Sequence, residues 1–411
     1  EDVMDTWFSS WIWPIQVFDG LHKDEEVDYY YPTNDIVTAP EIMFFWVARM
    51  IMSGYHYRGL PPFKNVYFTG IVRDELGRKM SKSLGNSPDP IELMEKYGAD
   101  GVRVGMLLTS PAGNDLPFDE KLCETGRNFS NKIWNAFRLV KGWEVDENKS
   151  QSESSALAVK WLESRTNSAL VTLETQYAEF RLSEALMTSY RLVWEEFCSW
   201  YLELIKPKYG EPIDRKTLEA TIVHFEKLVK ILHPFMPFLT EELWHWMRER
   251  ETPADALIVA QWPSAGDVDD TLLDEFDILK DIVSGVRNVR KDNGVPNKDK
   301  LDLLIQKSEG YPTSLDSSIA HLTNLASIKY VHEKVDGAFG FMVGRHRFYI
   351  PFGESFDIEA ERAKIQKDLV YQQGFLRSVR GKLSNERFVS GAPELVVANE
   401  KKKEADALAK I

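Results

Sequence analysis

Apolar positions change their spacing along the 411 residues, and each change marks a different kind of structure. Over residues 1–120 short apolar runs such as Val66-Tyr67-Phe68 alternate with a helical stretch from Glu41 to Met52, and Pro and Gly punctuate the joins. That is a mixed α/β pattern. From Glu120 the pattern turns helical: Leu182, Leu186, Val193, Phe197, Trp200 and Leu204 recur at helical steps, as do Leu218, Ile222, Phe225, Leu228 and Leu232, so a helical bundle is expected over 121–275. Its breaks are proline breaks. Pro207 and Pro212 bracket a loop, His233-Pro234-Phe235-Met236-Pro237 interrupts a helix, and Thr240 is expected to cap the next one ahead of Glu241 and Glu242. Pro263 then closes the bundle.

Residues 276–352 return to α/β character, with a helix around Ile278 to Arg290 and strands at Leu301 to Gln306 and Arg347 to Pro351. A small domain is expected there. In the last segment, 353–411, Ile358, Arg362, Ile365, Leu369, Gln372, Leu376, Val379 and Leu383 alternate steps of four and three, the spacing of a coiled-coil seam. Breaks at Ser384-Asn385 and Gly391-Ala392-Pro393 let Leu395 to Ile411 return as a second helix, giving an antiparallel hairpin. An ordinary pair of surface helices is the plainer alternative.

Composition narrows the class. Residues are 43% hydrophobic and 28% charged, and no apolar stretch is long enough to cross a bilayer. Cys123 and Cys198 stand far apart, so neither a disulfide framework nor a structural zinc site is indicated, and a reducing cytoplasm fits. The net charge of -14 opposes a polyanionic partner only if it is spread evenly. It is not. Residues 376–403 carry a local +4, from Arg377, Arg380, Lys382, Arg387 and Lys401 to Lys403 against three glutamates. The chain opens without Met inside an aromatic run, Asp5 to Trp11, and reads as a piece of something longer.

The chemistry concentrates in Gly77-Arg78-Lys79-Met80-Ser81-Lys82-Ser83, where two lysines and two hydroxyls on a Gly-flanked loop suit the polyphosphate of ATP. Such a loop places ammonium charge where negative charge grows as pyrophosphate leaves. A solvated basic turn is the bland alternative for any isolated Lys-x-x-Lys. The whole run, however, resembles the Lys-Met-Ser-Lys-Ser signature of class I aminoacyl-tRNA synthetases, delivered by Phe68-Thr69-Gly70-Ile71-Val72-Arg73-Asp74. Asp2 to Ser10, Phe44 to Met50, Asn131 to Ala136 and Phe388 to Pro393 are similar to the corresponding segments of the valyl branch of that family, along essentially the whole chain.

That resemblance implies a partial Rossmann-type catalytic domain (1–120), a helical anticodon-binding domain (121–275), a small α/β junction (276–352) and a coiled-coil tRNA-binding arm (353–411). It implies ATP with Mg²⁺, valine and tRNA(Val) as ligands, and a monomeric parent enzyme. Trp7, Ile42 and Trp46 are expected to wall a pocket for a small branched side chain, since rigid apolar walls select size. Aromatics at helical spacing are otherwise core. Glu41 matches the acidic position that meets the ATP ribose, where aspartate is commoner, and Thr69-Gly70 the pair beside adenine, glycine allowing close approach. Lys82 is the expected principal transition-state cation and Lys79 its partner, with Ser81 and Ser83 donating to phosphate oxygens. Arg127, Asn128, Asn131 and Lys132, and on the arm Arg377, Arg380, Lys382 and Arg387, are expected to touch tRNA, the arm in a salt-sensitive way. For Trp134, Trp244 and Trp246 core packing is expected.

No His-x-x-His or His-x-Gly-His occurs among the eight histidines, so the family's other nucleotide signature is absent and the chain alone is expected to activate no valine. Two alternatives stay open: an isoleucyl or leucyl enzyme, and a non-catalytic tRNA-binding module from a truncated synthetase.

Overall fold

The computed structural model describes residues 3–20, 22–108, 110, 113–250, 252–351, 358–385, 397, 400–401, 403–404 and 408, with backbone only at 82, 253, 358–365 and 368. Two compact units result: Glu1–Lys300 with Gly310–Leu325, and Leu301–Glu309 with Ala326–Ile411.

In the first unit β1 (Thr33–Thr38) and β2 (Phe63–Phe68) pair in parallel, with Ile36 opposite Val66. Parallel neighbours need a crossover. It is built from a 3₁₀ turn (Pro40–Ile42), a π turn (Met43–Val47) and the helix Ala48–Arg58, which stops at Gly59 where φ is +72°. Val47 and Met50 on this crossover meet Ile36 and Phe63 in a small core, with Trp11 and Trp46 packed against it. A second parallel pair, β3 (Val72–Arg73) with β4 (Leu116–Pro117), carries the basic loop. The α/β pattern over 1–120 is thus two small parallel pairs among helices.

The helices Ala99–Leu108 and Glu120–Lys141 meet backbone against backbone. A Cβ at Gly126 would lie 2.2 Å from the Gly101 carbonyl oxygen, and one at Gly105 would lie 2.7 Å from the Cys123 nitrogen. Glycine is the only residue that fits. The first of these helices also reaches the bundle: Arg103 donates to the carbonyls of Phe235 (3.1 Å) and Pro234 (2.9 Å). Its neighbour Asp100 accepts from Leu239 N–H (2.6 Å) and Phe238 N–H (3.4 Å).

That carboxylate corrects the expected cap. The helix Pro237–Met247 starts at Pro237, and Thr240 sits fully buried inside it, its hydroxyl donating to the Met236 carbonyl at 2.7 Å. Pro237 preorganises the first turn, and the orphan N–H groups behind it are met by Asp100 from another helix. Burial raises the Asp100 pKa, and the two backbone donors work against that shift.

The bundle comprises Glu120–Lys141, Glu153–Ala178, Leu182–Arg191 continuing as a π run Leu192–Tyr201, Arg215–Leu232, and Pro237–Met247. β5 (Val145–Asp146) and β6 (Ile213–Asp214) form a two-residue parallel clip between its loops. Phe197 and Phe225 meet at its centre with ring centroids 4.9 Å apart. The helix Asp270–Asp292 crosses the expected boundary at 275/276 and packs on the bundle, Phe276 stacking on Trp161 at 4.8 Å. Both cysteines are buried free thiols, and burial pushes Cys198 up to about 12.

In the second unit β7 (Leu301–Gln306), β8 (Leu325–Tyr330), β9 (Ala338–Val343) and β10 (His346–Pro351) form one sheet in the order β8-β7-β10-β9. β10 is antiparallel to both neighbours. Alternate residues Leu303, Ile305, Phe348 and Ile350 are buried, as a half-covered sheet requires. The helix Ile358–Leu383 follows, and late in it Leu376 and Val379 are buried. Arg380 pairs with Glu404 and Lys382 with Glu400, so two steps forward along the helix match four steps back along the returning chain. Among the described residues no helix is long and apolar enough to cross a membrane.

Candidate functional site

The helix Thr6–Trp11 begins where Asp5 accepts the Trp7 N–H at 2.8 Å, an N-cap that fixes the indole of Trp7 at the first turn. Across from it Trp46 donates to the Ser10 carbonyl at 3.3 Å and stacks on Trp13 at 5.8 Å. Ser53 ties the same segment down by donating to the Trp11 carbonyl at 2.7 Å. The result is an open cavity of about 640 Å³ whose lining includes Trp7, Ile42, Trp46 and Trp13, with Ser9, Ser10 and Thr6 at its edge. Trp7, Ile42 and Trp46 are therefore brought together. The backbone between the last two is not α-helical. Ile42 ends the 3₁₀ turn and Trp46 lies in the π turn, where the wider winding of i to i+5 bonds still leaves residues four apart close to one face.

One residue before Ile42, Glu41 accepts from Lys79 Nζ at 2.7 Å. The basic loop is thus joined by one ion pair to the residue beside Ile42, both side chains of the pair being about half exposed. The loop is folded back on its own strand: Lys79 bridges to Arg73, and Met80 N–H donates to the Val72 carbonyl at 3.2 Å. Gly77, at φ +74°, makes the reversal.

Two residues that the sequence reading passed over hold this shape. Asp74 accepts from the Arg78 and Leu76 backbone N–H groups (2.8 and 3.0 Å), from Arg78 Nε (2.8 Å) and from Asn86 Nδ2 (2.9 Å). Asn86 accepts the Ser81 N–H at 2.9 Å and donates to the Lys79 carbonyl at 3.3 Å. The Asn86 amide first, then Arg78, hold the Asp74 carboxyl well below the usual carboxylate range. The available signal was an Asx residue three positions before a glycine, a turn-forming pattern. Asn86→Ala is expected to raise the hydrogen-exchange rate of the Ser81 amide about tenfold, the worth of one hydrogen bond. Unchanged protection at Ser81 would show that the clamp does not hold the loop.

Ser81 and Ser83 face each other, their hydroxyls 3.2 Å apart, and Ser81 Oγ also accepts the Leu84 N–H at 3.3 Å. In this arrangement the Ser81 hydroxyl caps the short turn Lys82–Leu84. The side chain of Lys82 lies outside the described ones. Thr69 N–H donates to the Thr38 carbonyl at 2.9 Å at the end of β2, and Gly70 has its open side filled: a Cβ there would stand 1.6 Å from the Asn114 carbonyl oxygen. The close approach that requires glycine is therefore made here by the chain's own backbone.

On the helix Glu120–Lys141, Asn128 and Asn131 are exposed on one face, while Arg127 stacks over Tyr97 at 5.5 Å and Lys132 over Trp194 at 5.4 Å. Of the three tryptophans expected in the core, Trp134 is half-buried and Trp244 buried. Trp246 is 53% exposed, with Glu242 accepting its indole N–H at 2.7 Å. Its place on the solvent side of an 11-residue helix was not readable from spacing. On the arm Arg377, Arg380 and Lys382 lie on Ile358–Leu383, the last two in ion pairs, and Arg387 lies outside the described residues, as does Phe388 to Pro393.

Three family descriptions match parts of this chain. The description "tRNA synthetases class I (I, L, M and V)" matches residues 1–119, "Anticodon-binding domain of tRNA ligase" 159–305, and "Valyl tRNA synthetase tRNA binding arm" 357–411. A valine–tRNA ligase of Christiangramia forsetii is 55% identical over all of this chain and 47% of its own length. One of Parabacteroides distasonis is 56% identical with the same coverage, and one of Fusobacterium nucleatum is 37% identical over 97% of this chain. The chain spans about half the length of these curated relatives. The solved ternary complex of Agrobacterium radiobacter K84 agnB2 LeuRS-tRNA-LeuAMS matches 66% of this chain and 34% of its own at 19% identity and a TM-score of 0.49.

Proposed function

We propose that this chain is part of a valine–tRNA ligase, a class I tRNA synthetase, and supplies the loop-bearing and tRNA-binding half of an enzyme that activates valine with ATP and transfers it to tRNA(Val). The observation that carries this reading is the Lys79–Glu41 bridge, because it ties the basic loop to the residue next to Ile42, which lines a cavity with Trp7 and Trp46.

In the proposed reaction the valine side chain occupies the aromatic cavity, whose apolar walls favour a small branched group. Glu41 accepts hydrogen bonds from the ribose, and Thr69-Gly70 lies beside the adenine. ATP enters with Mg²⁺, and the ammonium groups of Lys79 and Lys82 neutralise charge on the departing pyrophosphate while valine carboxylate attacks the α-phosphorus. Ser81 and Ser83 donate to phosphate oxygens once the loop closes, which requires their present mutual contact to open. Lys79 then exchanges Glu41 for phosphate. Val37, Phe44 and Phe45 are exposed on the crossover side, apolar surface that the remaining half of the enzyme would cover.

For tRNA, Arg127, Asn128, Asn131 and Lys132 contact the backbone near the bundle entry, Trp246 offers its exposed indole to an unpaired base, and the 353–411 hairpin lays Arg377, Arg380, Lys382 and Arg387 along the outer helix. The proposed segments are 1–120, 121–275, 276–352 and 353–411, with the helix Asp270–Asp292 carrying the bundle past the second boundary.

The test uses the full-length protein. Valine-dependent exchange of pyrophosphate into ATP and charging of tRNA(Val) are expected, with isoleucine and leucine far weaker. Equal stimulation by leucine or isoleucine would reassign the amino acid, and tRNA binding without any exchange would make the protein a binding module.

A further inference from the structure

One end of the sheet in the second unit gathers cations to which the reading above gives no task. β7 leaves the sheet at Lys307-Ser308, β8 leaves it at Val331-His332, and β10 enters it through Arg345 and Arg347. These three segments border one cleft of about 590 Å³. Lys307, His332, Arg345 and Arg347 are exposed there. Among the described residues Lys307, Arg345 and Arg347 have no acidic partner, and Glu309 and Glu333, although next to the cleft in sequence, do not line it.

The backbone that carries these cations is held in place. The turn between β9 and β10 is two residues long, with His346 opposite Val343 and Gly344 at φ +55°, which puts Arg345 at its tip. Ser308 locks the end of β7 onto that turn, donating from its hydroxyl to the Arg345 carbonyl at 2.8 Å and from its N–H to His346 Nδ1 at 3.1 Å. Burial first, then the Arg345 charge, lower the His346 pKa, so the ring stays neutral and its Nδ1 remains an acceptor. The Lys307 ammonium rests 4.4 Å from the Tyr330 ring centroid. For Lys307 less side-chain freedom is then lost when an anion arrives.

Three cations on two adjoining strand ends, without acidic counter-charge, suit a chain of phosphates better than a single carboxylate or one phosphate. The stretch also lies between the two matched tRNA-related segments, 159–305 and 357–411, and belongs to neither. We propose that this cleft grips the phosphate backbone of RNA without reading its bases, a contact separate from the bundle and the arm. It rests on the reading of the protein as one that binds tRNA.

The test replaces Lys307, Arg345 and Arg347 together by glutamine in the full-length protein and measures tRNA affinity across a salt series. Wild type is expected to show a steep dependence, and the triple variant is expected to bind about tenfold more weakly at low salt with a log–log slope shallower by about two to three. Valine-dependent pyrophosphate exchange should be unchanged, which reports an intact fold. A wild-type slope in the triple variant, or weaker binding without a change of slope, overturns the proposal while leaving the synthetase reading intact. Wild-type protein that binds no tRNA overturns both. Inorganic tripolyphosphate is the second probe: no binding that depends on these three residues is expected, whereas micromolar binding lost in the variant would reassign the cleft to a free polyphosphate.

Discussion

Alanine in place of Lys79 is expected to slow valine-dependent pyrophosphate exchange by about 10²- to 10³-fold, the usual effect of removing one transition-state donor, with valine KM changed less than about threefold. The split follows from the geometry. Lys79 reaches the site through Glu41, whereas the amino-acid cavity is walled by Trp7, Ile42 and Trp46, none of which the lysine holds in place. Nor should the fold suffer. The bridge is half exposed on both sides, and deleting the lysine leaves a carboxylate that water can solvate, so the melting transition should stay where it is. Lys82→Ala is expected to lose exchange in the same way, and the double variant to lose little beyond the worse single one, because both ammonium groups serve one closing loop. Exchange within about threefold of wild type in both single variants would remove the loop from the chemistry. A parallel loss of valine affinity would instead make the loop a structural wall of the amino-acid cavity.

The loop and the cavity were legible in the sequence because their residues are local runs: Lys79 to Ser83 lie on one turn, and Ile42 and Trp46 on one crossover. What holds them was not. Asp74 and Asn86 act across 12 residues, Asp100 caps a helix about 138 residues away, and Gly70 is closed by Asn114; none of these leaves a periodic trace. The π turns escaped for a different reason. A helical period near 3.6 predicts an α-helix through Met43–Val47 and Leu192–Tyr201, and the wider winding shows only in the i to i+5 bonds. Trp246 was misplaced in the core because aromatic content alone does not say which face of a short helix turns outward.

The same substitution placed at two glycines should move stability in opposite directions, and this contrast tests how the loop-bearing part is joined to the bundle. Gly→Ala in a helix gains about 1 kcal/mol where space is free, since alanine loses less backbone entropy. At Gly381, in the helix Ile358–Leu383, no described atom lies within 4 Å of the added Cβ. Gly381→Ala should therefore slow amide exchange around it about fivefold. At Gly126 the new Cβ would stand 2.2 Å from the Gly101 carbonyl oxygen, a backbone atom that cannot swing aside. The two helices must part, which opens the joint made by Gly101, Gly105 and Cys123 and strains the Arg103 contacts to Pro234 and Phe235 and the Asp100 contacts to Phe238 and Leu239. Overpacking of this kind costs about 3 kcal/mol, so Gly126→Ala should lower the denaturant midpoint of the first unit despite its better helix propensity. Ser130→Ala, one turn along the same helix, serves as the control and should shift it by less than about 0.5 kcal/mol. If Gly126→Ala instead raised the midpoint, the helices would not be in backbone contact, and the path from bundle to loop would need another joint.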